Sequence, residues 1–147
     1  MADTGLLATL AFSENANNSM EVLWKVLTGK IEVNKGMLME NIVAQMLRAA
    51  GQELHFHKTP VNAHIDDRME IDFLLTKTPV ASRHNVMPIE VKSAKDYTTF
   101  SLERFKSKYA SIASDGYVLH PGDVKLVNGI TYLPLYMTPF LAENRFG

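Results

Sequence analysis

Cysteine is absent from this chain of 147 residues, and the absence excludes several kinds of chemistry. Without cysteine there is no disulfide bond, no thiolate metal site and no cysteine nucleophile, and the composition fits a reducing cytosol. The net charge is only −1, so binding to nucleic acid would need a local basic patch. No stretch approaches the roughly 20 apolar residues of a membrane span, and the N-terminus lacks the basic region of a signal peptide. We therefore expect a cytoplasmic protein with no membrane partner.

Two motifs of nucleotide and ester chemistry are also missing. The nearest fragment to a Gly-x-x-x-x-Gly-Lys-[Ser/Thr] loop is Thr28-Gly29-Lys30, but Ile31 follows it and Trp24 stands where the first glycine should be. No Gly-x-Ser-x-Gly nucleophile elbow occurs. The chain should therefore neither bind ATP through a P-loop nor act as a serine hydrolase.

The sequence does contain helical and strand patterns in a chain of single-domain size. The clearest helix is predicted at 36–50, where Met39, Val43, Met46 and Ala50 form one apolar stripe. Further helices are predicted at 21–28, 100–112 and from Met137, and strands at 54–57, 69–75, 86–91, 116–119 and 130–135. This order predicts an α/β fold with a mixed central sheet of about four to five strands flanked by helices. Residues 1–30 are expected to form a helical lead-in that belongs to the same domain, and residues 31–147 its core.

Three charged residues fall on two of the predicted strands. Glu90 and Lys92 are two residues apart, so both side chains lie on one face of a strand, and Asp72 lies on the preceding strand. If these strands pair as a hairpin, two carboxylates and one ammonium converge. Two carboxylates at one place repel each other unless a cation lies between them. A hard divalent ion with oxygen ligands, Mg²⁺ above all, is the natural occupant.

Glu40 lies in the first turns of the clearest helix and borders its apolar stripe. A glutamate in such a position usually has a partner, although a plain solvated helix residue is the alternative.

Together these residues resemble a known superfamily. Glu40, Asp72 and Glu90-x-Lys92, in this order, are similar to the motif of the PD-(D/E)XK nucleases, the fold of many restriction endonucleases. More narrowly, the chain resembles the domain of unknown function at the C-terminus of a large prokaryotic family of AAA+-like ATPases. The segments that carry this resemblance are 2–7, 36–47, 70–74, 88–93 and 132–136. The resemblance implies a nuclease-like core and a parent protein with an N-terminal ATPase module.

Two functions follow as hypotheses. The first is a metal-dependent nuclease acting on DNA, in which Asp72 and Glu90 ligate Mg²⁺. Glu40 would bind either a second metal ion or a metal-bound water. Lys92 would position the attacking water or help to deprotonate it, and it would neutralise developing charge. The second is a catalytically inert binding or regulatory module of an AAA+-like ATPase, in which the same residues form a buried ion-pair network.

Two further clusters receive lower weight. A zinc site could be formed by two histidines on one predicted strand and three residues that follow, namely His55, His57, His64, Asp66 and Asp67. A loose basic cluster could hold a phosphate backbone, although a solvated helix face explains it equally well; it consists of Lys92, Lys95, Arg104, Lys106 and Lys108.

Overall fold

The computed structural model describes residues 35–76, 84–94 and 96–143. The predicted helix at 21–28, the lead-in at 1–30 and Lys95 of the basic cluster lie outside the described residues.

The described residues form a mixed sheet flanked by helices. The helices are α1 (Lys35–Ala49), α2 (Phe100–Lys108) and α3 (Thr138–Ala142). The strands are β1 (His55–Lys58), β2 (Glu70–Thr76), β3 (Val86–Val91), β4 (Gly116–His120), β5 (Lys125–Val127) and β6 (Ile130–Pro134). They lie in the order β1-β2-β3-β4-β6-β5. The strand β4 is parallel to β3 and β6, and the remaining pairs are antiparallel. The mixed α/β prediction is confirmed.

The predicted number of about four to five strands is wrong, because the described residues alone form a sheet of six. The missed strand is β5, whose three residues are all exposed and therefore show no alternation of buried and exposed positions. It is joined to β6 by Asn128 and Gly129, with φ angles of 51° and 71°. Two such residues are typical of the tight hairpin turn that matches the twist of paired strands. The Asn-Gly pair was thus the sequence signal for this hairpin.

Apolar side chains cover the sheet in two layers. The first contains Val43, Ala44 and Leu47 of α1, Leu141 and Ala142 of α3, and the strand residues Phe73, Ile89, Val91, Leu119 and Leu133. The second contains Leu102 and Phe105 of α2 with Ile71, Val118, Ile130 and Tyr132. Neighbouring residues of the central strands alternate between the two layers, so α1 and α3 cover one face of the sheet and α2 the other. No helix within the described residues is long and apolar enough to cross a membrane.

A bulge in β2 determines in which of the two layers its side chains pack. His55 pairs with Leu74 while His57 pairs with Ile71, so β2 has one extra residue opposite Phe56. Such a bulge disrupts the strict alternation of faces. Ile71 therefore packs in the α2 layer and Phe73 in the α1 layer. Both are buried, but on opposite faces of the sheet.

The two long helices differ in detail from the prediction. The buried residues of α1 include Ala44 and Leu47, whereas Met46 is half-buried and Ala50 is exposed, so the helix is rotated from the predicted stripe. The helix α2 ends at Lys108 rather than at 112. Beyond it the backbone continues in tight turns, in which Ile112 N–H donates to Tyr109 O.

Candidate metal site at the end of strand β3

Glu90 is the most deeply buried charged residue among those described, with 1% of its surface exposed. It pairs with Val118 across β3 and β4 and therefore lies on the face covered by α2. The Lys92 ammonium lies 2.9 Å from Glu90 Oε2. The spacing of two residues thus brings both charges to one face, as predicted, and the burial of Glu90 gives this ion pair an apolar setting.

The electrostatics of Glu90 are dominated by burial. Burial raises the pKa of the Glu90 carboxyl, the Lys92 ammonium lowers it, the Asp72 carboxylate raises it and the Leu102 backbone N–H lowers it. Leu102 lies in the first turn of α2, where backbone N–H groups are unpaired and favour negative charge. The pKa of Glu90 is raised overall, so Lys92 and the Leu102 N–H offset the effect of burial only in part.

The hydrogen bonding of Glu90 is incomplete as well. The Lys92 ammonium and the Leu102 N–H both approach the carboxylate, but neither contact meets the geometry of a well-formed hydrogen bond to Oε1 or Oε2 within the described residues. A buried carboxylate in this state is costly, and such groups in native proteins often mark an ion or ordered water. The two oxygens are therefore suitable ligands for a cation.

Asp72 lies at the bulge of β2, beside β3. Its Oδ2 accepts a hydrogen bond of 2.7 Å from Val91 N–H, which fixes the carboxylate against the strand that carries Glu90. Burial raises the pKa of Asp72, the Val91 N–H and the Lys92 ammonium lower it, and the Glu70 carboxylate raises it. The structure thus brings Asp72 within electrostatic range of both Glu90 and Lys92.

Glu40 joins this group from α1. Its side chain is exposed, and partial burial, the Asp72 carboxylate and the Glu70 carboxylate raise its pKa, while Lys92 lowers it. Glu40 therefore interacts electrostatically with Asp72 and Lys92, which in turn interact with Glu90. Within the described residues no group of three or more His, Asp or Glu side chains forms a ready-made metal site. The shared cation stays a prediction.

Glu70 is a fifth charged residue of this site, and it was not predicted from the sequence. It raises the pKa of both Glu40 and Asp72, and its own carboxylate lies 3.0 Å from the Lys58 ammonium. Glu70 and Asp72 are two residues apart on one strand. This spacing is the same signal that drew attention to Glu90 and Lys92, so the residue could have been found from the sequence.

A comparison with known families shows to which family the chain belongs. Residues 35–137 match the family described as Domain of unknown function (DUF4143). The chain belongs to the DUF4143 family. The matched range includes all of the site residues described above. No curated protein and no solved structure shows significant similarity to the chain. The family description assigns no activity.

The histidines of this DUF4143 domain do not form the zinc cluster considered above. His57 packs edge-on against Phe105, with ring centroids 5.4 Å apart, and His55 lies 3.6 Å from Glu53. His64 Nδ1 instead accepts the Asp66 N–H at the start of a short 3₁₀ turn. Each ring thus has a separate local role.

The basic residues of α2 are likewise used within the DUF4143 domain. Arg104 donates to the carbonyl oxygens of Ile65 and Arg68. Lys106 donates to Gly129 O at 2.6 Å, and Lys108 lies 3.3 Å from Asp67 Oδ1. These contacts tie the helix to neighbouring loops, which favours a structural role over the predicted phosphate-binding patch.

Glu90→Gln is expected to stabilise the protein increasingly as the pH rises. Because burial raises the pKa of Glu90, the folded protein holds a proton at pH values where the unfolded chain has lost it. The stability contributed by this protonation is complete below the unfolded pKa and is lost as the pH rises through the folded pKa. Glutamine is neutral at every pH, so the variant loses no stability by this route.

Urea unfolding without divalent cations, from about pH 4 to about pH 8, tests this expectation. The difference in unfolding free energy, variant minus wild type, should increase with pH. A difference that is flat or decreases would show that the Glu90 charge is fully compensated in the folded protein.

Proposed function

We propose that this domain catalyses metal-dependent phosphodiester hydrolysis of DNA and has a PD-(D/E)XK nuclease-like fold. The observation that carries the proposal is the buried Glu90 carboxylate, which lacks a well-formed hydrogen bond and interacts with Asp72 and Lys92. A purely structural carboxylate in this position would be expected to have its hydrogen bonds satisfied. The mixed sheet with helices on both faces supports the fold assignment.

The residues present fit a hard divalent cation. Asp72 and Glu90 would hold it, because both supply carboxylate oxygens, and the oxygens of Glu90 are buried without well-formed hydrogen bonds. Glu40 is exposed on α1 and interacts with Asp72, so it would approach the cation from the side of Asp72 rather than of Glu90. When bound, Mg²⁺ would polarise the scissile phosphate and lower the pKa of a water molecule.

The chain's own residues would position the substrate. The Lys92 ammonium is only partly exposed, with 27% of its side chain accessible, and it would hold a phosphate oxygen beside Glu90. The Val91 N–H fixes Asp72, and the α2 N-terminus faces Glu90, so two backbone groups orient the carboxylates. Both carboxylates are therefore held in place before any ligand arrives.

The alternative is a catalytically inert module attached to an AAA+-like ATPase. The observation that favours it is the ion pair between Lys92 and Glu90, which partly neutralises the buried carboxylate without a cation. Under this alternative the cluster is a structural network whose main effect is on stability.

Cleavage of supercoiled plasmid DNA by the full chain tests the proposal. Wild type should cleave with Mg²⁺ or Mn²⁺ and stop when the cation is chelated, and Asp72→Ala should not cleave. Asp66→Ala is the matched control, because Asp66 is exposed in the 3₁₀ turn and lies outside the site. No cleavage by folded wild type at saturating cation would favour the inert module.

A further inference from the structure

A second polar cluster lies at the end of β4 and is not used by the function proposed above. His120 is only 7% exposed, and its Nδ1 lies 3.0 Å from the Tyr97 hydroxyl oxygen. Its Nε2 lies 3.1 Å from the backbone carbonyl oxygen of Asp123. Both ring nitrogens of this buried histidine are therefore engaged.

These partners determine where the protons lie. A carbonyl oxygen only accepts hydrogen bonds, so Nε2 must carry a proton and donate to Asp123 O. In the neutral ring Nδ1 then has a free lone pair, and the Tyr97 O–H donates to it. Burial raises the pKa of the Tyr97 hydroxyl, and Tyr132 raises it further, so this O–H stays protonated at neutral pH.

The ring of His120 is held tightly in this orientation. It packs edge-on against Tyr132, with centroids 5.7 Å apart. A Cβ atom on Gly122 would lie 2.7 Å from His120 Cε1, so the loop after β4 contacts the ring directly through a glycine. The arrangement of a hydroxyl, an oriented imidazole and a fixed third group is the one that activates hydroxyl groups in enzymes.

This cluster lies beside the candidate metal site. Val91 pairs with Leu119, and Lys92 N–H donates to Leu119 O at 2.8 Å, so His120 follows directly on the strand next to Lys92. Strand β2 with Asp72 lies on the other side of β3. Lys92 Nζ is held by Glu90 Oε2 at 2.9 Å. The attacking water needs a group that accepts its proton, and the neighbouring His120 imidazole has a lone pair for it.

We infer that Tyr97 and His120 form a proton relay that accepts the proton of the attacking water, an inference that rests on the proposed function. As the water oxygen bonds to phosphorus, its proton passes to Tyr97 Oη, and the Tyr97 proton passes to His120 Nδ1. The bond from phosphorus to the leaving oxygen breaks, and that oxygen takes a proton from solvent. Asp123 O stabilises the resulting imidazolium through its bond to Nε2–H. Tyr97 is thus a catalytic residue and His120 a positioning and proton-storing residue.

Steady-state cleavage by Tyr97→Phe tests the relay, because phenylalanine keeps the ring packing and removes only the hydroxyl. The expected result is a fall in kcat of about 10²-fold or more, with KM for DNA and the affinity for Mn²⁺ changed by less than about twofold. The matched control is Tyr136→Phe, at an exposed tyrosine, which should cleave like wild type. If activity falls only in proportion to the loss of folded protein, the folded variant keeps its wild-type kcat, and the relay is overturned.

The tautomer of His120 gives a readout that needs no cleavage. Long-range ¹⁵N–¹H spectra of the labelled chain at neutral pH should show His120 protonated at Nε2 and unprotonated at Nδ1, with the Nδ1 resonance shifted in Tyr97→Phe. A ring protonated at Nδ1 overturns the relay alone. Wild-type kcat in Tyr97→Phe, when Lys92→Ala is inactive, also overturns the relay alone, whereas an inactive wild type overturns the proposed function with it.

Discussion

Lys92→Ala is expected to lower the kcat of DNA cleavage by about 10²–10³-fold, the usual effect of removing one electrostatic contact to the transition state. The ammonium lies 2.9 Å from Glu90 Oε2 and is the cation nearest to the buried carboxylate in the described part of the chain. Its removal should leave the carboxylates of Asp72 and Glu90 available to a cation, so the affinity for Mn²⁺ should be retained or increased. Asp72→Ala should instead lose both cleavage and cation binding.

A matched lysine variant separates this role from a general loss of charge. Lys106→Ala removes an ammonium that donates to Gly129 O, away from the acidic cluster, and should retain cleavage. Cleavage that continues at the wild-type rate in Lys92→Ala would assign the activity to other residues and contradict the proposed role of Lys92.

Phe73→Ala is expected to lower the free energy of unfolding by about 3–5 kcal/mol, as large-to-small changes in a packed core do. Phe73 is buried in the α1 layer and follows Asp72 directly at the bulge of β2. The substitution should therefore also loosen the backbone that positions Asp72. Denaturant unfolding, analysed as a two-state transition, measures the loss.

Phe56→Ala is the natural control for this measurement. Phe56 lies on the neighbouring strand β1 but is 74% exposed, so its loss should change stability by no more than about 0.5 kcal/mol. A cost for Phe73→Ala below about 1 kcal/mol would contradict its place in the core.

The elements of this fold could be predicted where one periodic pattern was long enough. The alternation of Met69 to Leu75 gave β2, and helical spacing gave α1 and α2 within a few residues at each end. The exposed strand β5 has no burial pattern, so only its Asn-Gly turn could reveal it. The bulge at Asp72 could not be predicted, because it depends on how β2 pairs with β1.

The candidate site, too, could be predicted only where a local pattern relates its residues. Glu90 and Lys92 could be placed together because two residues on one strand face need only the strand period. Asp72 could be added only on the condition that its strand pairs with that of Glu90. Glu40 could be singled out beside an apolar stripe but not placed, since nothing local in the sequence relates a helix to strands so far along the chain. Tyr97 and His120 were not recognised, because they meet only when the loop before α2 lies over the end of β4.

Calorimetric titration of the full chain with Mn²⁺ tests the central claim most directly, because it asks whether the buried carboxylates bind a cation without depending on a substrate. We expect saturable binding by wild type and by Lys92→Ala, and loss of that binding in Asp72→Ala while the variant remains folded. The control Asp66→Ala should bind like wild type. Absence of saturable binding by wild type, or equal binding by Asp72→Ala, would contradict the account and favour a structural ion-pair network at Glu90 and Lys92.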